Sequence, residues 1–459
     1  MSGSAVAGLC RLRFHGPHKV VELSVPADVP LADLLPTIIG YAGDDLDEEA
    51  AEAGGWVVQR LGEEPLDDER SAEALGLRDG EQVYLRLRRE SLPPVHFDDV
   101  IDGVAAGLEA RDDSWRPALT HHLTLGVALF ALAGGLVLLV LSRDLGQLRA
   151  VTAAVTGGLL LLGAASAARA VGDAGAGTAL GAAAVPYLAL AGALLPAGSG
   201  DLTAARLLAG SSAAAGGAVL ALAAVACSAP LFLGLLVTAV AGAITGAITL
   251  AGLTAVETAA LLAVLVVAFA AFLPGLAFRM SGLKLPALPR SADELQEEIE
   301  PYPAQDVLDR SAVADGYLTS FHVVTAVLCA GCLTPIAMGA GWPAVALAAA
   351  LSLLLVLHAR EVGSLWQRLA LVLAGVYGLA LLTARWAIAL DSTGRLGLMA
   401  GLTSVASVLA IVSWTVPGRR MLPYWGRAAD LLHSALAMSL LPLALTEAGV
   451  FAWVRGLTG

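Results

Sequence analysis

Polar and apolar positions divide the chain into two regimes joined by a short connector. In the first, residues of the two kinds alternate in short runs. Cys10, Leu12 and Phe14 fall on one side of Leu9–Phe14 and Arg11 and Arg13 on the other; Val83, Leu85 and Leu87 oppose Tyr84, Arg86 and Arg88. A period of two marks strands covered by a core on one face. Leu9–Phe14 and Val20–Val25, linked by Gly16-Pro17-His18, predict a hairpin, and Trp56–Leu61 and Gln82–Arg88 predict two further strands. Between them Leu31, Leu34, Leu35, Ile38 and Ile39 recur at helical spacing, which predicts a helix capped by Asp28 and kinked at Pro36. Ser71–Leu75 reads as a helical turn, so the predicted order is ββ-α-β-(short helix)-β.

The second regime consists of apolar stretches of about 20 residues, the length needed to cross hydrocarbon as a helix. Six of them run near 118–141, 148–171, 174–196, 202–226, 228–250 and 254–277, and five more near 317–340, 342–360, 365–390, 396–417 and 428–454. The interval Arg279–Asp315 is polar. It cannot lie in lipid, where each unpaired backbone or charged group costs several kcal/mol, so residues 279–316 are expected to form a surface loop between the sixth and seventh spans. The whole divides into a soluble domain over 1–90, an amphipathic linker over 91–116 and a membrane domain of about 11 helices over 117–459.

Composition agrees: 57% of the 459 residues are hydrophobic and the mean hydropathy is +0.75, the balance of a polytopic membrane protein. The net charge of −13 falls entirely on the first 110 residues, which makes nucleic acid an unsuitable partner and a protein the expected one. Met1–Ala7 lacks the basic and apolar regions of a signal peptide, so the first domain is expected to be cytoplasmic. With that end inside, basic residues favour the inner loops by roughly two to one, as the positive-inside rule requires; eleven spans then leave the C-terminus outside.

Candidate chemistry is sparse. The only lysines, Lys19 and Lys284, follow His18 and Leu283 rather than a glycine, so there is no phosphate-binding P-loop. Cys329 and Cys332 form a Cys-x-x-Cys inside an apolar span, where that spacing places two small side chains on one helix face. No catalytic set, metal site or cofactor site is expected. Glu257, Asp391 and Glu447 lie near span ends, as do His322, His358 and His433, and no acid or lysine occupies a clear midplane, where ion-coupled transporters carry their relays. Gly242-Ala-Ile-Thr-Gly246 and Gly397-Leu-Met-Ala-Gly401 predict close helix packing. The apolar residues on polar segments, Phe97, Val100 and Ile101 in the linker and Leu283, Leu285 and Leu288 in the loop, are the partner-contact candidates. These features favour a scaffold. The alternatives are a multi-span solute transporter with an acidic cytoplasmic regulatory domain and, resting on the two cysteines alone, a thiol–disulfide carrier.

The head, with its run Leu66-Asp-Asp-Glu-Arg-Ser-Ala-Glu-Ala-Leu-Gly-Leu-Arg-Asp-Gly-Glu-Gln-Val-Tyr-Leu-Arg-Leu87, resembles a ubiquitin-like β-grasp domain. Fused to about eleven spans, and accompanied by Phe278-Arg279-Met280-Ser281-Gly282-Leu283-Lys284-Leu285-Pro286-Ala287-Leu288-Pro289, by Val307-Leu308-Asp309-Arg310 with Ala314-Asp315-Gly316-Tyr317-Leu318-Thr319, and by Pro423-Tyr424-Trp425-Gly426-Arg427-Ala428-Ala429-Asp430, it resembles the EccD family of type VII (ESX) secretion systems. That resemblance implies a non-enzymatic subunit of the bacterial inner membrane, dimeric within a complex with EccB-, EccC- and EccE-like subunits. It also implies that the EccC-like partner is the ATPase, docked through the ubiquitin-like head and the linker.

Overall fold

A computed structural model describes residues 8–17, 19–43, 55–61, 63–88, 101, 117–198, 201–283, 304–415 and 423–458. The chain separates into two compact units, Met1–Pro117 and Ala118–Gly459.

The first unit is a ubiquitin-like β-grasp. Strands β1 (Leu9–His15), β2 (Val20–Pro26), β3 (Trp56–Gln59) and β4 (Glu81–Leu87) form one sheet in the order β2-β1-β4-β3. The hairpin is antiparallel, from Leu9 opposite Pro26 to His15 opposite Val20. β4 runs parallel to β1, with Phe14 beside Val83, and antiparallel to β3. Helix α1 (Leu31–Ala42) turns Leu35, Ile38 and Ala42 onto a core with Cys10, Leu12, Phe14, Val83 and Leu85. The alternation along β1 is realised as expected, Cys10, Leu12 and Phe14 being buried and Leu9, Arg11 and Arg13 exposed.

Local details differ. Asp28 does not cap α1; it lies in the turn after β2, Pro30 occupies the cap position, and no side chain bonds to the helix end. The cap is dispensable because the free N–H groups of the first turn are taken by a distant loop: Leu31 donates to the Arg70 carbonyl at 3.1 Å and Ala32 to that of Asp68 at 2.8 Å. β3 stops at Gln59, two residues short of the predicted end, where the buried Gln59 side chain donates to the Glu63 carbonyl at 2.6 Å and closes the turn. Arg60 beyond it reaches Glu81 at 2.6 Å.

The described residues of the second unit form helices joined by turns. Its elements are α2 (Pro117–Leu141), α3 (Leu148–Ser166, continued by a π-helical turn Ala167–Val171), α4 (Ala174–Ala193), α5 (Thr203–Val225), α6 (Ala229–Leu250), α7 (Ala255–Ala270), α8 (Leu273–Met280), α9 (Ala304–Met338), α10 (Trp342–His358), α11 (Leu365–Ala389), α12 (Ser392–Thr415), α13 (Pro423–Glu447) and α14 (Val450–Thr458). Among the described residues ten helices are long and apolar enough to cross a membrane, eleven if the bent pair α7–α8 is one span. That pair turns by 59°. Pro274 at the start of α8 supplies the reason: it has no N–H to continue the ladder, and its ring collides with the turn before it.

Two other boundaries depart from the sequence reading for physical reasons. α9 begins at Ala304, so the second part of the expected loop over 279–316 is helix; a hydropathy pattern does not see the solvated end of a span. The last apolar stretch, 428–454, is broken at Gly449, whose φ of +69° ends α13 and leaves α14 separate.

Half or more of the apolar windows of α9 (56%) and α10 (50%) is buried, against none of α2 and α12. α9 and α10 are therefore central and α2 and α12 peripheral. Around the centre, Ala260, Leu333, Ile336, Leu347, Leu351, Leu371 and Ala444 from α7, α9, α10, α11 and α13 form the main core. Cys329 and Cys332 are buried in it as free thiols. Elsewhere helices meet through small residues. An added Cβ at Gly246 would stand 2.6 Å from the backbone nitrogen of Leu208, and one at Gly192 would stand 2.6 Å from the Ala209 carbonyl oxygen. The pattern Gly242–Gly246 is thus a packing seam, as predicted. Gly397–Gly401 is not: a Cβ at either would meet nothing within 4 Å, and both lie exposed on α12.

Candidate functional site

One group of polar side chains of the main bundle gathers around the end at which α10 stops and α11 starts. α9 supplies Asp315, Thr319 and His322; the end of α10, with the 3₁₀ turn Ala359–Glu361, supplies His358, Arg360 and Glu361; α11 supplies Gln367 and Arg368; α13 supplies Asp430 and His433. Several of them bridge to groups of a neighbouring element. The terminal carbonyls of α10 lack partners within their helix, and Arg368 donates to two of this turn, Ala359 at 2.9 Å and Arg360 at 3.3 Å. A cation there also suits the negative end of the helix dipole. Gln367, 2% exposed, donates through one nitrogen to Asp315 at 2.8 Å and to Thr319 at 2.9 Å, which joins α11 to α9. Arg360 donates to the Asp430 carboxylate and, at 3.4 Å, to the Gly426 carbonyl, which joins the turn after α10 to α13.

Three histidines stack beside these links. The rings of His322 and His358 lie 6.2 Å apart at 20°, and those of His358 and His433 lie 5.5 Å apart at 15°. His322 is buried, its Nδ1 2.8 Å from the Leu318 carbonyl. Nδ1 of His358 is 3.5 Å and Nδ1 of His433 3.8 Å from the two oxygens of Glu361. No metal site is read from the sequence, yet here two imidazoles and a carboxylate converge.

The same end explains much of what the sequence motifs are for. Arg310 in α9 donates to the Gly282 carbonyl at 2.8 Å and so ties the start of the polar interval to its end; Gly282 carries a φ of +74°, which only glycine adopts without strain. Asp315 and Thr319 receive Gln367, and Asp430 receives Arg360. The motifs therefore act as interhelix ties.

Of the partner-contact candidates, Phe97, Val100, Leu285 and Leu288 lie outside the described residues. Ile101 is helical and 74% exposed, and Leu283, half-buried, directly follows the glycine bound by Arg310. The polar ring itself escapes sequence reasoning. His322, His358 and His433 are visible as span-end histidines, but His433 is brought to the other two only by the tertiary fold, and Glu361 draws notice only once its i,i+3 spacing from His358 is set beside that.

Comparison with known proteins agrees with this architecture. Residues 120–457 match the model of the EccD-like transmembrane domain, and residues 9–85 match that of the WXG100 protein secretion system (Wss) protein YukD. The ESX-4 secretion system protein eccD4 of Mycobacterium tuberculosis (strain H37Rv, and likewise strain CDC 1551 / Oshkosh) is 34% identical over 136 residues, a stretch that spans 29% of this chain and 28% of the relative. Among solved structures, a chain of protomer 1 of the ESX-3 core complex matches at a TM-score of 0.59 and 20% identity, with 97% of this chain and 100% of that one covered. A chain of the MycP5-free ESX-5 inner membrane complex, in its State II, matches at 0.61 and 18%, with 89% and 99% covered. At such identities the two structures speak for the fold. With the family model spanning most of the membrane unit and a YukD-like head before it, the chain belongs to the EccD family.

Proposed function

We propose that this chain is a non-enzymatic structural subunit of a type VII secretion complex of the bacterial inner membrane, and that it docks a partner ATPase through its ubiquitin-like head and linker. The observation that carries the reading is the fusion, in one chain, of a YukD-like β-grasp to an EccD-like helical bundle whose polar residues are spent on tying helices together. Domain limits of 1–90 for the head, 91–116 for the linker and 117–459 for the membrane part go with it, as do EccB-, EccC- and EccE-like partners and a homodimer within the complex. The arginine asymmetry supports a cytoplasmic head and an external C-terminus; reporters fused after Arg310 and at Gly459 should read inside and outside respectively, and a cytoplasmic signal at Gly459 would reverse that assignment.

The docking part of the reading is tested in the linker. Changing Phe97 and Ile101 together to Asp sets two charges on a surface proposed to be covered, where a desolvated charge costs several kcal/mol. The variant is expected to reach the membrane at normal abundance, to lose co-purification with the ATPase and to stop secretion. Normal recovery of the complex with normal secretion would reduce the linker to a tether.

The transporter reading stays weaker because the carboxylates of the described spans lie near helix ends, as Glu257, Asp391 and Glu447 do, or are engaged in interhelix hydrogen bonds, as Asp315 is by Gln367 and Asp430 by Arg360.

A further inference from the structure

We propose that His358, Glu361 and His433 form a binding site for a divalent transition ion of the zinc class, which clips the end of α10 to α13. Glu361 follows His358 by three residues across a 3₁₀ turn, and in that geometry residues i and i+3 eclipse, so carboxylate and imidazole point the same way. His433 enters from α13. One ligand atom from each of the three lies within 4.8 Å of the others, and the nitrogen–oxygen separations of 3.5 Å and 3.8 Å are close to the roughly 3.4 Å between ligands that each stand about 2.0–2.2 Å from a tetrahedral ion. The two separations run to different oxygens of Glu361 and the set as a whole lies within 4.8 Å, so binding draws these partly exposed side chains together by up to about an ångström.

The surroundings suit a cation of this class. Two imidazoles with one carboxylate favour borderline ions such as Zn2+ over Mg2+ or Ca2+, which prefer oxygen donors. Arg360, next to Glu361 in the chain, pairs with Asp430, while the carboxylate of Glu361 faces the two imidazoles. His322 also stacks on His358, its ring centroid 6.2 Å away, with its own Nδ1 on the Leu318 carbonyl. Three protein ligands leave a fourth position for water. Since α11 and α12 intervene between Glu361 and His433, the ion would close a long segment and would steady the link that Arg360 and Asp430 make next to it.

The test uses the full chain, carrying an affinity tag without histidine, purified in mild detergent, stripped with a chelator and titrated with Co2+ and then Zn2+. Wild type is expected to take up one equivalent of Co2+ with the intense visible bands of a four-coordinate site, to release it to Zn2+, and to melt at a higher temperature with Zn2+ bound. His358→Ala and His433→Ala should each weaken binding by at least about tenfold, as even the loss of an outer-shell partner does, and should lose the metal-dependent rise in melting temperature. Glu361→Gln should weaken it also, and His322→Gln should keep one equivalent. Absence of a four-coordinate Co2+ spectrum in wild type overturns the proposal whether or not the variants fold. Unchanged affinity in the two histidine variants overturns it as well, and identifies Glu361 as a simple hydrogen-bond partner of the imidazoles.

Discussion

Leucine in place of Gly378 is expected to leave little or no monodisperse protein in detergent. Gly378 belongs to the inward face of α11, with Gln367, Leu371, Ala374, Gly375 and Leu382. A Cβ at Gly378 would run into the hydroxyl oxygen of Ser352 and stand 2.8 Å from a methyl of Leu333. Neither neighbour can yield. Ser352 is fully buried, its hydroxyl turned back onto the Ala348 carbonyl at 2.7 Å, and Leu333 is fully buried in the main core. Gly375, one turn earlier, would meet the Ser352 carbonyl at 2.7 Å, so α11 cannot slide to relieve the clash. Overpacking a core commonly costs about 1–3 kcal/mol and more where no rotamer fits, and here even the first added carbon has no space. Gly397→Leu is the control: on exposed α12 it should leave abundance and elution of the chain unchanged. Equal yields from both variants, measured by fluorescence-detected size exclusion, would show that the α10–α11 contact is not as tight as described.

Phe14→Ala is expected to destabilise the isolated head strongly. Residues 1–90 expressed alone should give dispersed amide spectra and a cooperative melt, since the sheet and α1 close a core from their own residues. Phe14 is fully buried at the centre of β1, opposite Val21 and beside Val83. Its truncation costs about 3–5 kcal/mol in a domain whose whole stability is on the order of 4–13 kcal/mol at the usual value per residue. With about 4–8 °C of melting temperature per kcal/mol for a domain this small, the midpoint should fall by at least about 12 °C. Tyr41→Ala, at a 56% exposed position on α1, should change stability by less than about 0.5 kcal/mol. A midpoint unmoved by Phe14→Ala would remove that residue from the core.

The head was readable from its sequence because alternation reports directly which face of a strand is covered, and β1 and β4 obey it. What could not be read there was long-range: the carbonyls of Asp68 and Arg70 do the work assigned to Asp28, and nothing near α1 announces them. The spans were readable for the same local reason, since a run of apolar residues is a statement about lipid. The polar start of α9 was not, because a helix that leaves the membrane keeps its backbone ladder but loses its hydropathy signal. Pro274 was present to warn of the bend between α7 and α8, and Gly449 to warn of the break after α13. The polar ring was the least legible part. Asp315, Gln367, Arg360 and Asp430 look like ordinary span-end residues until the fold pairs them, and the stack of His322, His358 and His433 exists only because α13 packs against α10.

The glycine patterns show how little a motif says without its neighbours. Gly242–Gly246 and Gly397–Gly401 share one spacing, yet the first packs against α5 and the second faces outward within this chain. α12 and α2, with none of their apolar windows buried, are the helices most available to lipid or to other subunits.

As a member of the EccD family the chain works as a subunit of a larger membrane assembly. The most direct test of this is the composition of the particle recovered when the tagged full-length protein is extracted from its native membrane in mild detergent and weighed by native mass spectrometry. The expected result is a multi-subunit particle that holds a membrane ATPase in fixed ratio and more than one copy of this chain. A chain recovered alone, with no ATPase at any detergent concentration and with substrate-dependent uptake after reconstitution, would contradict it and would favour the transporter.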